Sequence, residues 1–460
     1  MRNRLLSLWL AVVTTACTPR ASTSVADVGH ALDAAVARDA GMRADAAETR
    51  DATSSDANTG DAGDPDERPR DAGTRDATLV VTDAGDTVEP PEPDEPDAGI
   101  PDAATGVPDA AGPVDATPPP AVAAYFNAPH GDDQPDDTLE LVLKELLSHA
   151  AVGSQVRVSL FTLTRGTMAQ AFVAAFNRGV DVRLVLDGHN ATYAAYQTLV
   201  DGLGAERITL CGTVAAGSCI GTGINHSKFY LFSQLDDGTA NVVVQSSANL
   251  SSPMLKEHNN LVVVRDDAAL YSGYLDVWQD QQAQARNDDY YRVVVGDRPI
   301  RTYFYPRAQG DTVVSVLSNV SCGGGGRVLL AMSLFTNARV AIADRLAELK
   351  GQGCDVQALL RDDGTTPGDA IVNALADGNV PYRRITQTAT RSTIHSKILI
   401  IDAPYDTGSG PTRRKLVFTG SHNYTGGALT DNDEQLMRVD SLPVFEAYLA
   451  NWNAIRATVP

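Results

Sequence analysis

The chain has 460 residues and a formal net charge of −21, a length that allows two or three domains. The charge is uneven, because residues 1–120 carry 23 acidic and 9 basic side chains, while residues 121–460 carry 35 acidic and 28 basic ones. This balance argues against a strongly basic surface for nucleic acid. No run of 18 or more apolar residues occurs, which argues against an enzyme embedded in a membrane by apolar helices.

The first segment of the chain is typical of a secretory signal peptide. Arg2 and Arg4 precede an apolar run over residues 5–13 that is too short to span a bilayer. Small residues then lead to Cys17, which resembles the lipidated Cys of a bacterial lipoprotein signal, although Thr14 stands where such signals usually have Leu. Secretion with cleavage near Ala16 is the alternative. We expect residues 1–17 to be a signal peptide and the protein to be exported, either lipid-anchored in a bacterial cell envelope or secreted.

Residues 18–120 form a second segment of distinct composition. It repeats Asp-Ala-Gly, Asp-Ala-Thr and Pro-Asp-Ala and contains hardly any aromatic residue. Such a sequence has too little apolar surface to offset the entropy of ordering, so it predicts a disordered acidic linker. We expect it to act as a tether between the N-terminus and a folded region.

Residues 121–460 contain an internal duplication, which decides the predicted fold. Each half has an aromatic-to-proline segment, a Ser-Leu-Phe-Thr strand, a helical segment and a strand that ends in Asp-Gly. These features lie at residues 126–129, 159–162, 168–178 and 179–188, and again at 304–306, 333–336, 340–350 and 353–364. Strands alternating with helices predict the α/β class, here two similar α/β sandwich halves related by a pseudo-twofold axis. The expected halves are residues 121–295 and 296–460.

A short motif also occurs twice, once in each half. His226 and Lys228 in the first copy, and His395 and Lys397 in the second, open apolar runs typical of strands. Residues two apart on a strand point to the same face, so each strand presents an imidazole beside an ammonium group. A second strand-like run follows each copy and ends in small polar residues that include Asn249 or Asn423. This repeated set of groups is suited to binding a phosphate.

The paired motif resembles that of the phospholipase D superfamily, in which HxKxxxxD and a GSxN-like segment are both present twice. The second copy has every motif residue: His395, Lys397, Asp402, Gly420, Ser421 and Asn423. The first copy departs from the pattern, because Ser233 replaces the Asp and Ser246 and Ser247 replace Gly-Ser ahead of Asn249. An Asp at this position lies at an odd offset from the Lys and so on the opposite strand face, which favours a structural role for Asp402. The resemblance covers nearly all of residues 121–460.

The chemistry of a phosphodiester explains why such a site needs these groups. The substrate is an anion, so Lys228, Lys397, Asn249 and Asn423 would neutralise and hold its oxygens. One neutral His can then attack phosphorus while a second, protonated His releases the leaving alcohol. By the resemblance, His226 would be the nucleophile, forming a phosphohistidine, and His395 the general acid. No metal and no other cofactor is expected.

Each catalytic His needs an acceptor on its second ring nitrogen to fix its tautomer. Glu257 and Glu434 follow the two Asn strands at the places where the family keeps acidic residues, and we predict this supporting role for both; solvated loop carboxylates are the alternative. Ser247 and Ser421 are expected to support the site from the motif segments. His258 and His422 adjoin motif residues and are expected at the rim or surface.

Four Cys remain after Cys17, and an exported chain is found where disulfides form. They allow three connectivities, of which we favour Cys211 with Cys219 and Cys322 with Cys354, because each pair brackets a short stretch of chain.

Three functions are compatible with this sequence. The first is a phospholipase D that hydrolyses or transphosphatidylates glycerophospholipids at a membrane surface. The second is a nuclease of the same superfamily; clusters such as Arg383 with Arg384 and Arg413 with Arg414 flank the second motif and keep this open. The third is a phosphate- or phospholipid-binding protein without turnover, which would not need both His. We rank them in this order and expect a monomer, because both motifs lie in one chain.

Overall fold

The computed structural model describes residues 119–212 and 217–459. The predicted signal peptide, Cys17 and all but the last two residues of the predicted linker lie outside the described residues. Among the described residues, helices are too short or too polar to reach across a bilayer.

The first half of the described region contains seven strands and four helices. In chain order they are β1 (Val122–Phe126), α1 (Thr138–Ser148), β2 (Gln155–Leu160), α2 (Gly166–Asn177), β3 (Asp181–Asp187), α3 (Ala194–Leu203), β4 (Ile208–Cys211), β5 (Lys228–Gln234), β6 (Ala240–Ser246), β7 (Asn260–Val264) and α4 (Ala268–Gln282). The strands form one sheet in the order β1-β7-β6-β5-β2-β3-β4.

The second half contains eight strands and five helices within the same described part of the chain. They are β8 (Arg292–Val295), β9 (Ile300–Tyr305), α5 (Thr312–Ser318), β10 (Arg327–Met332), α6 (Val340–Gly351), β11 (Asp355–Arg361), α7 (Asp369–Asp377), β12 (Tyr382–Ile385), β13 (Lys397–Asp406), β14 (Pro411–Gly420), α8 (Gly426–Thr430), β15 (Glu434–Val439) and α9 (Leu442–Ala457). The sheet order is β12-β11-β10-β13-β14-β15-β9-β8.

The two sheets have the same internal arrangement, which confirms the predicted duplicated α/β fold. In each sheet, two strands that a helix connects in the chain pair in parallel, β2 with β3 and β10 with β11. The strand that carries the His-Lys motif then joins this parallel group antiparallel, β5 to β2 and β13 to β10. Because both flanks of β5 and β13 are paired, each motif strand lies inside its sheet.

The division between the halves falls earlier than the predicted residue 296. β8 ends at Val295, yet it pairs antiparallel with β9 and belongs to the second sheet. The hairpin connection between β8 and β9 is short, and antiparallel neighbours in sequence pair readily. We therefore correct the second half to begin with β8.

One apolar core lies between the two sheets and includes side chains from both halves. Phe229 and Tyr274 of the first half and Phe304 and Val417 of the second are buried in it. The ring of Tyr274 lies edge-on to Phe229 at 5.2 Å and to Phe304 at 4.9 Å. The long helices α4 and α9 line this core from equivalent places, and it holds the two motif strands in a fixed relation to each other.

The Cys pairs have the predicted connectivity in the structure. Cys211 is bonded to Cys219, and Cys322 to Cys354.

The motif position at which the two copies differ, Asp402 in one and Ser233 in the other, has a structural role in each sheet. Asp402 Oδ1 lies 2.8 Å from Arg413 Nε on β14, and Ser233 Oγ accepts a hydrogen bond of 2.8 Å from Gln155 N on β2. Both side chains thus tie the motif strand to a neighbouring strand.

Candidate active site

The two motif lysines occupy the first residue of their strands. Lys228 pairs with Leu160 across the first sheet, and Lys397 pairs with Met332 across the second. Both side chains are buried, and each ammonium group donates to the carbonyl oxygen of its own motif His, at 2.8 Å for His226 and 2.7 Å for His395. The lysines are therefore fixed by the backbone turn that presents the His.

His226 is held by a carboxylate from the opposite half. Its Nδ1 lies 2.8 Å from Oε1 of Glu434, the first residue of β15. Ser421 Oγ donates to the other oxygen of Glu434 and accepts from Gln435 N at 3.0 Å. With Nδ1 facing the carboxylate, the Nε2 atom of His226 faces away from it. The structure thus places Glu434 in its predicted supporting position.

His395 is held by an amide from the opposite half, not by the carboxylate that we predicted. Asn259 Oδ1 lies 2.9 Å from His395 Nδ1, and Ser247 Oγ donates to the same oxygen at 3.0 Å. Glu257, the predicted residue, lies two positions earlier, and its Oε1 accepts from Arg361 Nη1 at 3.0 Å. The prediction for Glu257 is corrected because a shift of two residues places its carboxylate at the guanidinium.

Glu434 and Asn259 are equivalent positions of the duplicated fold. Short parallel bridges join Asn225 to Asp433 and Ile394 to His258, in each case just before the holding residue and the motif His. The two halves therefore exchange their holding residues: the second half orients His226 and the first half orients His395. An anionic acceptor on one ring and a neutral acceptor on the other make the site chemically asymmetric.

The motif asparagines follow the strands that neighbour the two motif strands, Asn249 after β6 and Asn423 after β14. Asn423 is buried, and its Oδ1 accepts from Leu334 N at 3.3 Å, which leaves its amide group to donate elsewhere. Asn249 is partly buried, and no residue in the described part of the chain forms a hydrogen bond with its Oδ1. Two amide donors and two ammonium groups can together stabilise the charge of a bound phosphate.

Burial and the lysines favour the neutral form of both motif His in the ligand-free protein. Burial lowers the pKa of His226 well below its usual value, and the charges of Lys228 and Lys397 lower that pKa further. Burial likewise lowers the pKa of His395, followed by the charges of Lys397 and Lys228. A bound phosphodiester anion opposes this effect, because it favours a positive charge on an adjacent ring.

The structure corrects the expected exposure of the two His that adjoin the motifs. His422 is fully buried, stacked on Tyr305 at 4.1 Å, with Nε2 3.3 Å from Arg339 Nη1. His258 is also buried, and its Nδ1 has no hydrogen-bond partner among residues 119–212 and 217–459. The sequence contains no periodic signal for either burial, since both residues lie in irregular segments beside the motifs.

Sequence reasoning also missed three residues around the site. Phe161 follows β2 and packs edge-on to His226 at 5.2 Å. His189 is buried 2.7 Å from Asp187, and its ring also contacts Phe161. Phe161 could have been found from the repeated Ser-Leu-Phe-Thr segment, whereas the pairing of His189 with Asp187 depends on a turn that the sequence does not specify.

The buried His side chains predict that the protein loses stability in mild acid. Burial lowers the pKa of His258 to about 4, and the pKa values of His226, His395 and His422 are lowered too. The unfolded chain then binds more protons than the folded one below about pH 6.5, so the free energy of unfolding falls as pH decreases towards 4. Asp433 acts in the opposite sense, because burial raises its pKa to about 6.

A substitution isolates this effect from the opposing one. Between pH 6.5 and 5, His258→Gln should lose about 2 kcal/mol less unfolding free energy than the wild type. Urea unfolding at both pH values measures the difference, and His149→Gln, at a position with 56% side-chain exposure, is the control. An unchanged pH dependence in His258→Gln would contradict the prediction.

A family model described as "Cardiolipin synthase, PLD-like domain" matches residues 143–279 and 325–455, once in each half and over more than half of the chain. The chain belongs to the phospholipase D superfamily. The two copies of the superfamily motif are therefore the two His-Lys strands described above. Within the described residues, no group of three His, Cys, Asp or Glu side chains is arranged to hold a metal ion.

Solved structures similar to this phospholipase D superfamily chain have low sequence identity to it. Polyphosphate kinase from Porphyromonas gingivalis is 12% identical with a TM-score of 0.46; the match covers 72% of this chain and 50% of the kinase, so the chain spans half the length of that protein. Phosphatidylserine synthase from Haemophilus influenzae is 12% identical with a TM-score of 0.47, covering 73% and 86%. Nuc from Salmonella typhimurium, a phospholipase D family member, is 23% identical with a TM-score of 0.27, covering 35% and 95%. No curated protein gives a significant match to the chain.

Proposed function

We propose that this protein is a phosphodiesterase that acts through a phosphohistidine intermediate and hydrolyses or transphosphatidylates glycerophospholipids as a phospholipase D. The observation that carries the proposal is the crossed pair of His, each flanked by a buried Lys and each oriented through Nδ1 by the other half. Because both Nδ1 atoms contact the opposite half, we assign the two Nε2 atoms to one substrate; Lys397 Nζ lies 3.3 Å from His395 Nε2, where it can also reach a bound phosphate. Both motifs lie in one chain, which supports activity as a monomer.

In the first step, His226 Nε2 attacks phosphorus while the bond from phosphorus to the leaving alcohol breaks. His395, which takes up a proton on Nε2 when the anionic substrate binds, donates this proton to the departing oxygen, so the alcohol leaves neutral. The phosphorylated imidazole carries a positive charge, which the Glu434 carboxylate at 2.8 Å stabilises. Asn259 holds the His395 ring with Nδ1–H towards the amide oxygen and adds no charge.

In the second step, water or an alcohol attacks phosphorus from the side of the departed group. His395 accepts its proton, the bond between phosphorus and His226 breaks, and the enzyme returns to its initial state. Lys228, Lys397, Asn249 and Asn423 hold the phosphate oxygens through both steps. Their positive charge and amide donors can supply what a metal ion would otherwise contribute, so we propose a metal-independent reaction.

The lipid substrate is supported by the sequence and by the surroundings of His226. The predicted export signal and acidic tether would place the enzyme in a bacterial envelope, lipid-anchored or secreted, where phospholipid is within reach. Phe161 gives the His226 side an apolar ring, 5.2 Å from the imidazole. A modestly acidic folded region is less suited to a nucleic acid backbone.

A nuclease is the second candidate, and basic residues beside the second motif favour it. Arg361 lies at the end of β11, and Arg384 and Arg391 lie on or after the adjacent β12. Arg361 is already engaged by Glu257 at 3.0 Å and Arg384 by Asp362 at 3.0 Å, so this group is partly neutralised. A short single strand remains compatible with it.

The experiment offers the purified protein phosphatidylcholine and phosphatidylethanolamine vesicles in parallel with single-stranded DNA, all in EDTA. We expect headgroup release without DNA cleavage, and DNA cleavage alone would select the nuclease. Acid quenching of a labelled substrate should leave a base-stable phosphoryl label on the His226 peptide. Label on the His395 peptide would reverse the two roles, and activity that needs an added divalent ion would contradict the metal-independent reaction.

A further inference from the structure

A segment of the first half lies against the strand that carries Glu434. Residues 218–224, here called the clamp segment, lie shortly before His226 in the chain. The segment includes Cys219, which forms a disulfide with Cys211. Thr222 N and Gly223 N both donate to Asp431 O at 2.9 Å. These contacts cross from one half to the other immediately before β15 begins.

The centre of these contacts is the buried carboxylate of Asp433. Cys219 N donates to its Oδ2 at 2.9 Å, and Ile220 N and Gly221 N donate to its Oδ1 at 3.2 and 2.8 Å. Asp433 is 1% exposed and directly precedes Glu434. Three convergent N–H groups can stabilise a carboxylate that water does not reach.

Two glycines allow this close approach of the two backbones. A Cβ on Gly221 would overlap the carbonyl oxygen of Asp431, and a Cβ on Gly223 would overlap the side chain of Asn432. The contacts around Asp433 therefore require a backbone without side chains at both positions. Neither requirement is explained by the catalytic motifs themselves.

The equivalent place in the other half lacks this construction. His258 precedes Asn259 as Asp433 precedes Glu434, and it contacts the opposite half through backbone hydrogen bonds: its N–H donates to Thr393 O, and its O accepts from His395 N and Ser396 N. No carboxylate occupies the His258 position, and residues 386–393 contain no Cys. A buried carboxylate directly precedes Glu434, whereas the buried carboxylate nearest Asn259 is Glu257, two residues earlier, which pairs with the side chain of Arg361 and not with backbone N–H groups.

The disulfide connects the clamp segment to the first sheet. Cys219 is bonded to Cys211, the last residue of β4, and Cys211 lies opposite Asp187 of β3. One end of the clamp segment is thus covalently bonded to the edge of the first sheet, while its N–H groups donate to Asp433. The other disulfide joins Cys322, before β10, to Cys354, directly before β11, and includes no residue of the clamp segment.

We propose that Asp433 and the Cys211–Cys219 disulfide are positioning elements that fix the Glu434 carboxylate against His226, so that turnover depends on this one disulfide. The proposal rests on the proposed role of His226 as the reacting residue. Loss of the clamp lets the start of β15 move, and a displacement of about 1 Å at Glu434 is enough to lower the rate about 100-fold.

The first test is Asp433→Asn in the full chain, with bis(p-nitrophenyl) phosphate as the probe. An amide keeps the shape but turns one oxygen into a donor that faces another N–H donor, so the clamp opens. We expect kcat to fall between 10- and 100-fold with KM unchanged. A rise in KM with kcat unchanged would overturn the proposal.

The second test separates positioning from general destabilisation. If Asp433 acts through Glu434, then Asp433→Asn should lower kcat by less than about twofold in a Glu434→Gln background. In proton NMR, the signal of the His226 Nδ1 proton should move or disappear in Asp433→Asn. Equal losses in both backgrounds together with an unchanged His226 signal would overturn the proposal.

The two disulfides provide the matched comparison. The double substitution Cys211→Ser/Cys219→Ser should lower kcat about 10-fold or more, whereas Cys322→Ser/Cys354→Ser should lower the melting temperature and leave kcat and the His226 signal unchanged. Equal kcat losses in both variants would overturn the role of the disulfide. Absence of any phosphodiester cleavage by the wild type would instead reject the proposed function, and the NMR comparison would still decide whether the clamp orients Glu434.

Discussion

Replacing either motif His with Ala should lower kcat by about four orders of magnitude or more. His226→Ala removes the atom that attacks phosphorus, and His395→Ala removes the proton that the leaving alcohol needs. Residues that act as one unit lose most of the rate when any member is removed, so the double variant should be little worse than either single one. Steady-state hydrolysis of phosphatidylcholine vesicles measures all three.

The control for these variants is a His outside the site. His149→Ala changes a side chain that is 56% exposed and lies 3.0 Å from Asp236, and it should retain wild-type kcat. Circular dichroism should show that both active-site variants remain folded. A substantial rate in either of them would mean that the two His do not serve one phosphate.

The two variants should also differ with the choice of leaving group. An activated p-nitrophenyl ester departs without a proton, so His395→Ala should recover part of its first-step rate on that substrate, while His226→Ala should not. The expected difference follows from the roles of the two rings and not from their burial.

The duplicated fold could be predicted because short sequence patterns that specify its strands occur twice. The Ser-Leu-Phe-Thr strands and the His-Lys segments repeat in the same order. The expectation that His and Lys share a strand face was only partly correct, because β5 begins at Lys228 and β13 at Lys397, and each motif His lies just before its strand. Glu434 could also be predicted, since it is the first residue of β15 and a carboxylate is the usual partner of a catalytic ring. These features depend on short stretches of sequence.

The error at Glu257 has a different origin, because the register of a loop decides it. Residues 251–259 include no long strand, and the residue that reaches His395 is set by the bridge between His258 and Ile394 of the opposite half. A carboxylate two positions earlier is the stronger sequence signal, yet it points to Arg361. Contacts between distant segments are not encoded in the local pattern that a single sequence displays.

The clamp around Asp433 was missed for the same reason. Its donors are backbone N–H groups, which every residue type has, so no residue at positions 219–221 indicates their function. Asp433, Gly221 and Gly223 are the residues whose type reflects these contacts, but acidic residues and glycines are common in loops and so do not indicate them. The boundary at β8 was also misplaced because strand pairing, and not composition, assigns a strand to a sheet.

The acceptors on the two catalytic rings differ in charge, and this difference predicts unequal effects of their removal. Glu434→Gln should lower kcat about 1,000-fold, because the phosphorylated His226 ring is cationic and loses the carboxylate that stabilises it. Asn259→Ala should lower kcat only about 10-fold, since it removes a neutral hydrogen bond that orients His395.

Rapid-quench measurement of the phosphohistidine label separates formation of the intermediate from its breakdown. Glu434→Gln should slow formation of the label even with a p-nitrophenyl ester, whereas Asn259→Ala should slow label formation only with a natural headgroup. The reverse order of the two losses would assign the nucleophile to His395.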